Sequence, residues 1–193
     1  MAFVPKITTL HANNIYLDGY FQTEKYFKDF KKEIREDFTP KVISTTASDW
    51  TQKIKNGGNT ISVHVRRGDY VGHKILGEIC TIEYYQKAIE EISKLTEDPH
   101  FFIFSDDTMW VKENINLPNK IDYVSSPNLK DYEELVLMSI CHHNIIANSS
   151  FSWWSAWLNL NPNKIVIAPA KWAHGKFNKK KLSNIAPQTW IRI

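Results

Sequence analysis

Short apolar runs alternate with helical stretches along most of the sequence, and this alternation limits the folds open to the chain. Stretches with helical spacing separate the runs, as in 81–95, where Thr81 is the predicted N-cap. Strands joined by helices form parallel sheets with right-handed crossovers. The sequence therefore predicts an α/β fold, a Rossmann-like parallel sheet with helices on both faces. The predicted strands are 61–65, 101–104, 121–124, 144–147 and 164–168.

The other helices are predicted from the spacing of apolar residues and from capping residues. Ser48 is the predicted N-cap of a helix within 41–56, and Asp131 with Glu134 is the predicted capping pair of a later helix. Two further helices are predicted at about 107–115 and at Trp153–Leu158.

Residues 1–40 do not continue the alternating pattern. Ile15–Leu17 predicts a short strand, and Phe21–Phe38 has aromatic residues at helical spacing. One strand and one or two helices bury too little surface to form an independent core. We therefore expect this segment to pack on another part of the fold and to be the end of a domain that begins elsewhere.

Composition excludes several classes of protein. The formal net charge of the 193 residues is only +3, which argues against nucleic-acid binding by charge alone. The cluster of Lys176, Lys179, Lys180 and Lys181 is expected to be a solvated edge. Two cysteines are too few for a disulfide framework or a zinc site, which fits a reducing compartment. The sequence has no long apolar run, and residues 1–10 lack the basic start and apolar middle that are typical of a signal peptide.

The stretch I-S-V-H-V-R-R-G-D-Y (61–70) is a predicted strand that ends in two arginines. In an open α/β sheet, ligands bind beyond the carboxyl ends of the strands, so Arg66 and Arg67 would lie where a ligand lies. Their guanidinium groups match phosphate oxygens, and Gly68 permits a sharp turn or a close approach. Asp69 would orient an arginine or take a proton. The competing interpretation is a surface ion pair of Arg67 with Asp69.

Two more polar groups follow predicted strands, and a parallel sheet brings such groups to one rim. Asp106 and Asp107 would accept hydrogen bonds from a ribose or guanine, bind a metal, or simply cap a helix. A polar run opens the tryptophan helix, whose backbone N–H groups would bind phosphate; the alternative is that Ser152 is only an N-cap. The residues of this run are Asn148, Ser149, Ser150, Phe151 and Ser152.

His64 alternates with Val63 and Val65, so it faces the opposite side of its strand, near the same rim. A lone histidine there is usually a core residue with its hydrogen bonds satisfied. Trp153, Trp154 and Trp157 have near-helical spacing, which is more typical of packing than of a sugar pocket. Taken together, these residues predict a site for a phosphate-bearing nucleotide, neutralised by arginine instead of a metal.

Four blocks of the sequence resemble the bacterial α-1,2-fucosyltransferases of glycosyltransferase family 11. They are H-V-R-R-G-D-Y (64–70), F-S-D-D (104–107), L-M-S-I-C-H-H-N-I-I-A-N-S-S-F-S-W-W-S-A-W-L-N (137–159) and K-I-V-I-A-P-A-K-W (164–172). The stretch L-D-G-Y-F-Q-T-E-K-Y-F (17–27) is similar too. The resemblance covers nearly the whole chain in collinear order.

The resemblance implies a two-domain GT-B architecture and a metal-free transfer of fucose from GDP-fucose to the 2-hydroxyl of a galactoside, with inversion. The family's first domain begins with a Gly-rich stretch that is absent here. Residues 1–56 are therefore expected to be a remnant of the N-terminal acceptor domain with a linker helix, and 57–193 the GDP-fucose-binding domain. A nucleotide-sugar-binding half-enzyme without catalytic activity is the alternative.

The resemblance also assigns roles to residues. Arg66 and Arg67 match the arginines that engage the donor diphosphate, and His64 matches the histidine of the same motif. Ser149–Ser152 match a second donor-binding motif close to the phosphates, and Asp106 with Asp107 a block near the nucleoside. Asp69 is a candidate base, so His64, Arg66 and Asp69 form the predicted catalytic set.

The expected partners are GDP-fucose and a galactose-terminated glycan or lipid-linked oligosaccharide, with no nucleic acid. The expected location is the cytoplasm, with at most peripheral contact with the inner membrane.

Overall fold

The computed structural model describes residues 3–19, 21–117, 120–175 and 184–193, so the lysine cluster at 176–181 lies outside the described residues. The helices are α1 (Lys31–Asp37), α2 (Thr45–Lys55), α3 (Ile82–Leu95), α4 (Thr108–Asn114), α5 (Asp131–Ser139) and α6 (Ser150–Leu158). The strands are β1 (Thr60–Val65), β2 (His100–Ser105), β3 (Ile121–Tyr123), β4 (His143–Ile145), β5 (Val166–Ala168) and β6 (Ile191–Arg192). Within these ranges no helix is both long and apolar enough to cross a bilayer.

The six strands form one sheet in the order β3-β2-β1-β4-β5-β6, and every neighbouring pair is parallel. This is the order of a Rossmann fold, in which the chain runs outward from β1 in one direction and from β4 in the other. The predicted fold class is confirmed. Strand β6 was not predicted, because two partly exposed residues carry no apolar run and become a strand only by pairing with β5.

Apolar residues on both faces of the sheet are covered by helices. Ile61, Val63 and Val65 of β1 pack with the apolar side of α3, whereas Phe102 and Phe104 of β2 pack with residues of α2 and α5 on the other face. The alternation along β1 therefore places His64 on the side of α2 and α5, opposite the valines, as its position in the sequence predicts.

A buried amide network joins β1, β4 and the two helices that flank β4. Asn144 of β4 is fully buried, and its Nδ2 donates to Ser62 Oγ at 2.7 Å and to the Met138 carbonyl at 2.9 Å. Its Oδ1 accepts from Asn159 Nδ2 at 2.8 Å. Because each of these polar atoms has a partner, the network fixes the register of β4 beside β1 at little cost in desolvation.

Residues 21–38 pack on the tryptophan helix α6. The ring of Phe27 stacks on Trp154 with 5.2 Å between centroids and meets Trp153 and Trp157 edge-on. Trp157 Nε1 donates to Glu24 Oε2 at 3.0 Å. The expectation that this segment needs a partner surface is confirmed, and the tryptophans are largely packing residues. The domain boundary after residue 56 stays a prediction.

Several local predictions are wrong, and for the two helix starts a contact made by the folded chain explains the difference. Ile15–Leu17 is not a strand, and 21–38 contains two short 3-10 turns before α1. Helix α2 begins after Ser44, whose Oγ accepts from Ala47 N, and not at Ser48. In α5 the carboxylate that accepts from the N-cap backbone N–H is Glu133, which bonds Lys130 N at 3.0 Å, and not Glu134.

Candidate active site

A cavity of about 750 Å³ opens at the carboxyl edge of the sheet, beside the point where the strand order reverses. Strands β1 and β4 are neighbours there, and their following segments leave in opposite directions, which creates the crevice where doubly wound folds bind ligands. The volume is typical of a small-molecule site. Most of the sequence-predicted site residues line it, namely His64, Arg66, Asp69, Asp106, Ser149, Ser150 and Phe151.

Arg66 directly follows β1, and two carboxylates hold its guanidinium group. Its Nη2 lies 2.7 Å and its Nε 3.0 Å from Asp69 Oδ1, and its Nη1 lies 3.1 Å from Asp106 Oδ2. The arginine side chain is 37% exposed and that of Asp69 66%, whereas that of Asp106 is only 26% exposed. Asp106 is therefore the fixed support of the guanidinium group, and Asp69 is the partner that solvent or an anion can replace.

Gly68 allows Asp106 to reach this position. A Cβ atom at residue 68 would lie 2.7 Å from Asp106 Oδ2, which is closer than real side chains approach. The other carboxylate oxygen of Asp106 accepts from the backbone N–H of Arg67 at 2.9 Å. The sequence suggested that a ligand approaches Gly68 closely. In the structure the group that approaches it is the side chain of Asp106, in the loop after β2.

Arg67 and Asp107 do not line the cavity, although both were predicted to bind the donor. Arg67 Nε donates to Asp107 Oδ2 at 3.1 Å, and its guanidinium carbon lies 3.8 Å from the centre of the Trp110 ring. Asp107 also caps α4 by accepting from Trp110 N, and this bond and Arg67 both lower the pKa of Asp107. The two adjacent arginines thus point to different places, as successive residues beyond a strand do. The ion pair of Asp69 is with Arg66 and not with Arg67.

The polar run 148–152 divides between the cavity and the interior. Ser149 is the N-cap of α6, with its Oγ accepting from Phe151 N, so the prediction that Ser152 is the cap is wrong. Ser152 is fully buried and donates to the Ser149 carbonyl. The first turn of α6, beginning at Ser150, therefore points its backbone N–H groups toward the carboxyl edge of the sheet.

Asn148 is buried beneath the rim and does not line the cavity. Its Nδ2 donates to the carbonyls of Leu76 at 2.9 Å and Trp172 at 3.1 Å. Tyr70 Oη donates to the Asn148 carbonyl at 3.3 Å. Asn148 therefore ties the loop after β4 to those after β1 and β5 and keeps the rim in place.

His64 lies at the base of the cavity, 4% exposed, with its ring 5.5 Å from the ring of Phe151. Burial, with a smaller contribution from the Arg66 charge, lowers its pKa from 6.5 to about 3. Its Nδ1 is buried and makes no hydrogen bond within the described structure. The imidazole is thus neutral at physiological pH and has a polar atom without a partner. The expectation that a lone histidine here is a core residue with its hydrogen bonds satisfied is therefore wrong.

Glu134 is a cavity residue that the sequence did not identify as one. It lies on α5 with Asp131 and lines the same cavity as Arg66, and its Oε2 accepts from Ser125 Oγ at 3.0 Å. Burial raises its pKa from 4.5 to about 7, helped by the charges of Asp131 and Asp106 and opposed by the Ser125 bond. A carboxyl group that titrates near neutrality inside a cavity is a functional candidate. Its position three residues after Asp131 suggested only a cap.

No group of three histidine, cysteine or acidic side chains in the described ranges is arranged to hold a metal ion. Asp106 and Asp107, the pair considered as metal ligands, bond to different arginines instead. The positive groups of the cavity are Arg66 and the start of α6, an arrangement suited to an anion with several oxygens, such as a diphosphate.

Comparison with known proteins adds a family match to this geometry. Residues 4–193 match the model of Glycosyl transferase family 11. An alpha-1,2-colitosyltransferase of Escherichia coli is 37% identical over 97% of this chain and 66% of its own length. The O-antigen biosynthesis glycosyltransferase WbnK of Escherichia coli is 39% identical over 72% of the chain and 46% of its own length.

A mammalian relative also matches, the galactoside 2-alpha-L-fucosyltransferase SEC1 of Bos taurus. It is 27% identical over 75% of the chain and 42% of its own length. The chain thus spans between two fifths and two thirds of the length of these relatives.

The neutral state of His64 predicts how stability changes with pH. Between pH 3 and 6.5 the unfolded chain protonates His64 and the folded chain does not, so the free energy of unfolding falls as the pH falls. His64→Gln should make this slope shallower by up to about 1.4 kcal/mol per pH unit in urea unfolding at pH 4.5–6.5. His11→Gln, at an exposed histidine, is the control and should keep the wild-type slope. Equal slopes for wild type and His64→Gln would show that His64 protonates freely in the folded state.

Proposed function

We propose that this chain, which belongs to glycosyltransferase family 11, binds GDP-fucose and transfers the fucose to the 2-hydroxyl of a galactoside. The observation that carries the proposal is the pairing of Arg66 with the start of α6 across a cavity at the strand-order reversal. The relatives named as fucosyl- and colitosyltransferases support the choice of a 6-deoxysugar donor.

In this proposal the diphosphate lies between Arg66 and the first turn of α6. The guanidinium group already holds one exposed carboxylate, Asp69, in its fork, and a diphosphate presents more charge and more acceptor oxygens to the same donors. The anion would therefore replace Asp69 while Asp106 keeps the arginine in place. Neutralisation by these groups needs no metal ion.

The nucleoside would extend toward β3 and α5, from which Ser125 and Glu134 line the cavity. Guanine presents an N1–H and a 2-amino group side by side, and an ionised carboxylate accepts from both. Both oxygens of Asp106 bond the arginines after β1. We therefore assign the base-reading role first expected of Asp106 and Asp107 to Glu134.

The reaction we propose is an inverting displacement at the anomeric carbon. The acceptor oxygen forms a bond to that carbon, the bond to the β-phosphate oxygen breaks, and GDP leaves from the opposite face. The diphosphate gains negative charge as the bond breaks, and the preorganised donors of Arg66 and α6 stabilise that charge. Asp69, released from Arg66 by the diphosphate, would accept the proton of the acceptor hydroxyl.

His64 fits a binding role better than a proton-transfer role. His64 is only 4% exposed and stays neutral near physiological pH, whereas the Asp69 side chain is 66% exposed and can meet an incoming acceptor. Its unpaired Nδ1 at the base of the cavity would instead make a hydrogen bond with the ligand. We propose that His64 helps to hold the donor and that Asp69 is the base.

The acceptor in this proposal is a galactose-terminated glycan or a lipid-linked oligosaccharide. A lipid-linked acceptor would bring the protein to the surface of the inner membrane from the cytoplasm. Donor binding without transfer is the second candidate function, since the chain spans only part of its relatives. Release of GDP on addition of a β-galactoside separates the two.

Arg66→Ala tests the diphosphate contact. The change should weaken GDP binding about 10- to 100-fold, because one charge-assisted donor pair to phosphate is lost. GMP binding should weaken far less, because GMP lacks the β-phosphate. Isothermal titration calorimetry in EDTA measures both affinities. Arg35→Ala, at an arginine of α1 outside this cavity, should leave both unchanged. Equal losses for GDP and GMP in Arg66→Ala would refute the assignment.

If Glu134 reads the base, the preference of the protein for GDP over ADP should depend on pH. Its pKa of about 7 means that the accepting, ionised form grows about tenfold between pH 6 and pH 8. The ratio of GDP affinity to ADP affinity should rise by about the same factor, since ADP shares the phosphates and lacks the paired guanine donors. Glu134→Gln should make the ratio independent of pH, and Glu113→Gln, at an exposed position of α4, should keep the wild-type rise. A rise that survives in Glu134→Gln would exclude this residue as the base reader.

A further inference from the structure

A second, apolar pocket of about 260 Å³ lies beside the cavity, and we refer to it as the aromatic pocket. Six of its nine lining residues are apolar, and the other three are polar. The apolar ones are Phe21, Phe27, Trp153, Trp154, Trp172 and Ile185, and the polar ones are Gln22, Thr23 and Ser150. Phe21 and Phe27 come from the N-terminal segment that packs on α6, so this segment completes a pocket as well as covering a helix.

Ser150 lines both the aromatic pocket and the cavity, so the two are neighbours at the start of α6. Ser150 is the first residue of α6, and Trp172 follows β5, the next strand of the sheet. Three positions therefore follow one another along the carboxyl rim. Glu134 and Ser125 lie toward β3, Arg66 lies at the reversal point, and the aromatic pocket lies toward β5.

This order matches the order of groups in a nucleotide sugar. The base lies at one end, the diphosphate in the middle, and the sugar is bonded directly to the β-phosphate. A diphosphate held by Arg66 and the start of α6, with its base toward Glu134, leaves its sugar on the side of Ser150 and the aromatic pocket.

The lining of the aromatic pocket selects among sugars. Aromatic rings pack well against the C–H faces of a sugar, and two thirds of the lining residues are apolar. Of the polar ones, Thr23 already accepts a hydrogen bond from the backbone N–H of Lys25. A 6-deoxyhexose carries a methyl group on C5, which needs no hydrogen-bond partner. A sugar with a 6-hydroxyl group would lose its water partner on entering.

We propose that the aromatic pocket binds the C5-methyl edge of the donor sugar, and that Phe21 in its wall sets the preference for a 6-deoxyhexose over the hexose that carries a 6-hydroxyl group. The inference rests on the proposed function, because the sugar reaches the pocket only from a diphosphate at Arg66.

The test compares GDP, GDP-L-fucose and GDP-L-galactose as ligands of the 193-residue chain by calorimetry in EDTA. The two sugar nucleotides differ only by the hydroxyl group on C6. GDP-L-fucose should bind about 10- to 100-fold more tightly than GDP-L-galactose, the range in which an apolar pocket discriminates against one added hydroxyl.

Phe21→Ala and Phe38→Ala are a matched pair of variants. Phe21 is half-buried in the wall of the aromatic pocket and meets only Tyr26 edge-on among the described aromatic rings, so its loss spares the core. Phe38 stacks on Trp154 at 4.8 Å but lines a different cavity. Phe21→Ala should reduce the preference for GDP-L-fucose at least about fivefold without changing the affinity for GDP. Phe38→Ala should leave the preference intact.

The outcomes separate the two proposals. Equal affinities of the wild type for the two sugar nucleotides, with GDP still bound, would overturn the aromatic pocket as the sugar site and leave the proposed function standing. An equal change of preference in both variants would do the same. Failure of the wild type to bind GDP would overturn both.

Discussion

The guanidinium group of Arg66 sits at the carboxyl end of β1, between a fixed carboxylate, Asp106, and an exposed one, Asp69. An arginine side chain without a partner at this rim would have no fixed orientation, and a fully buried ion pair would not be accessible to a ligand. The asymmetric pairing avoids both, because one partner orients the arginine and the other can be replaced. The absence of a side chain at Gly68 leaves space for Asp106, which can therefore pair with Arg66.

The remainder of the rim is organised so that this arginine faces an ordered helix start. Tyr85 Oη donates to the His64 carbonyl and Tyr84 Oη to the Ile146 carbonyl, so α3 holds the ends of both β1 and β4. Asn148 then joins the loops that follow β1, β4 and β5. These bonds use backbone carbonyls and a buried amide, and they fix the rim without occupying Arg66 or the start of α6, which remain in the lining of the cavity.

The sequence was sufficient for features that depend on local pattern or on strand topology. The parallel sheet, the Thr81 cap and the position of Arg66 on the rim follow from strand ends and helix starts. The sequence was insufficient where contacts between residues far apart in the chain determine the local structure. Ser44 is preferred to Ser48 as a cap because its backbone N–H also bonds Glu133. Glu134 has the spacing of a capping residue, and its burial in the cavity follows only from the folded structure. Arg67 points away from the cavity because its guanidinium group packs on the ring of Trp110.

In the proposed complex, Arg66 and the first turn of α6 hold one diphosphate between them. A crystal structure of the chain with GDP, grown in EDTA, tests it most directly. We expect the β-phosphate to lie within hydrogen-bond distance of Arg66 and of the backbone N–H groups of Ser150 and Ser152, with Asp69 displaced from the arginine and the base beside Glu134. A nucleotide bound elsewhere, or a diphosphate that leaves the Arg66–Asp69 pair intact, would contradict it.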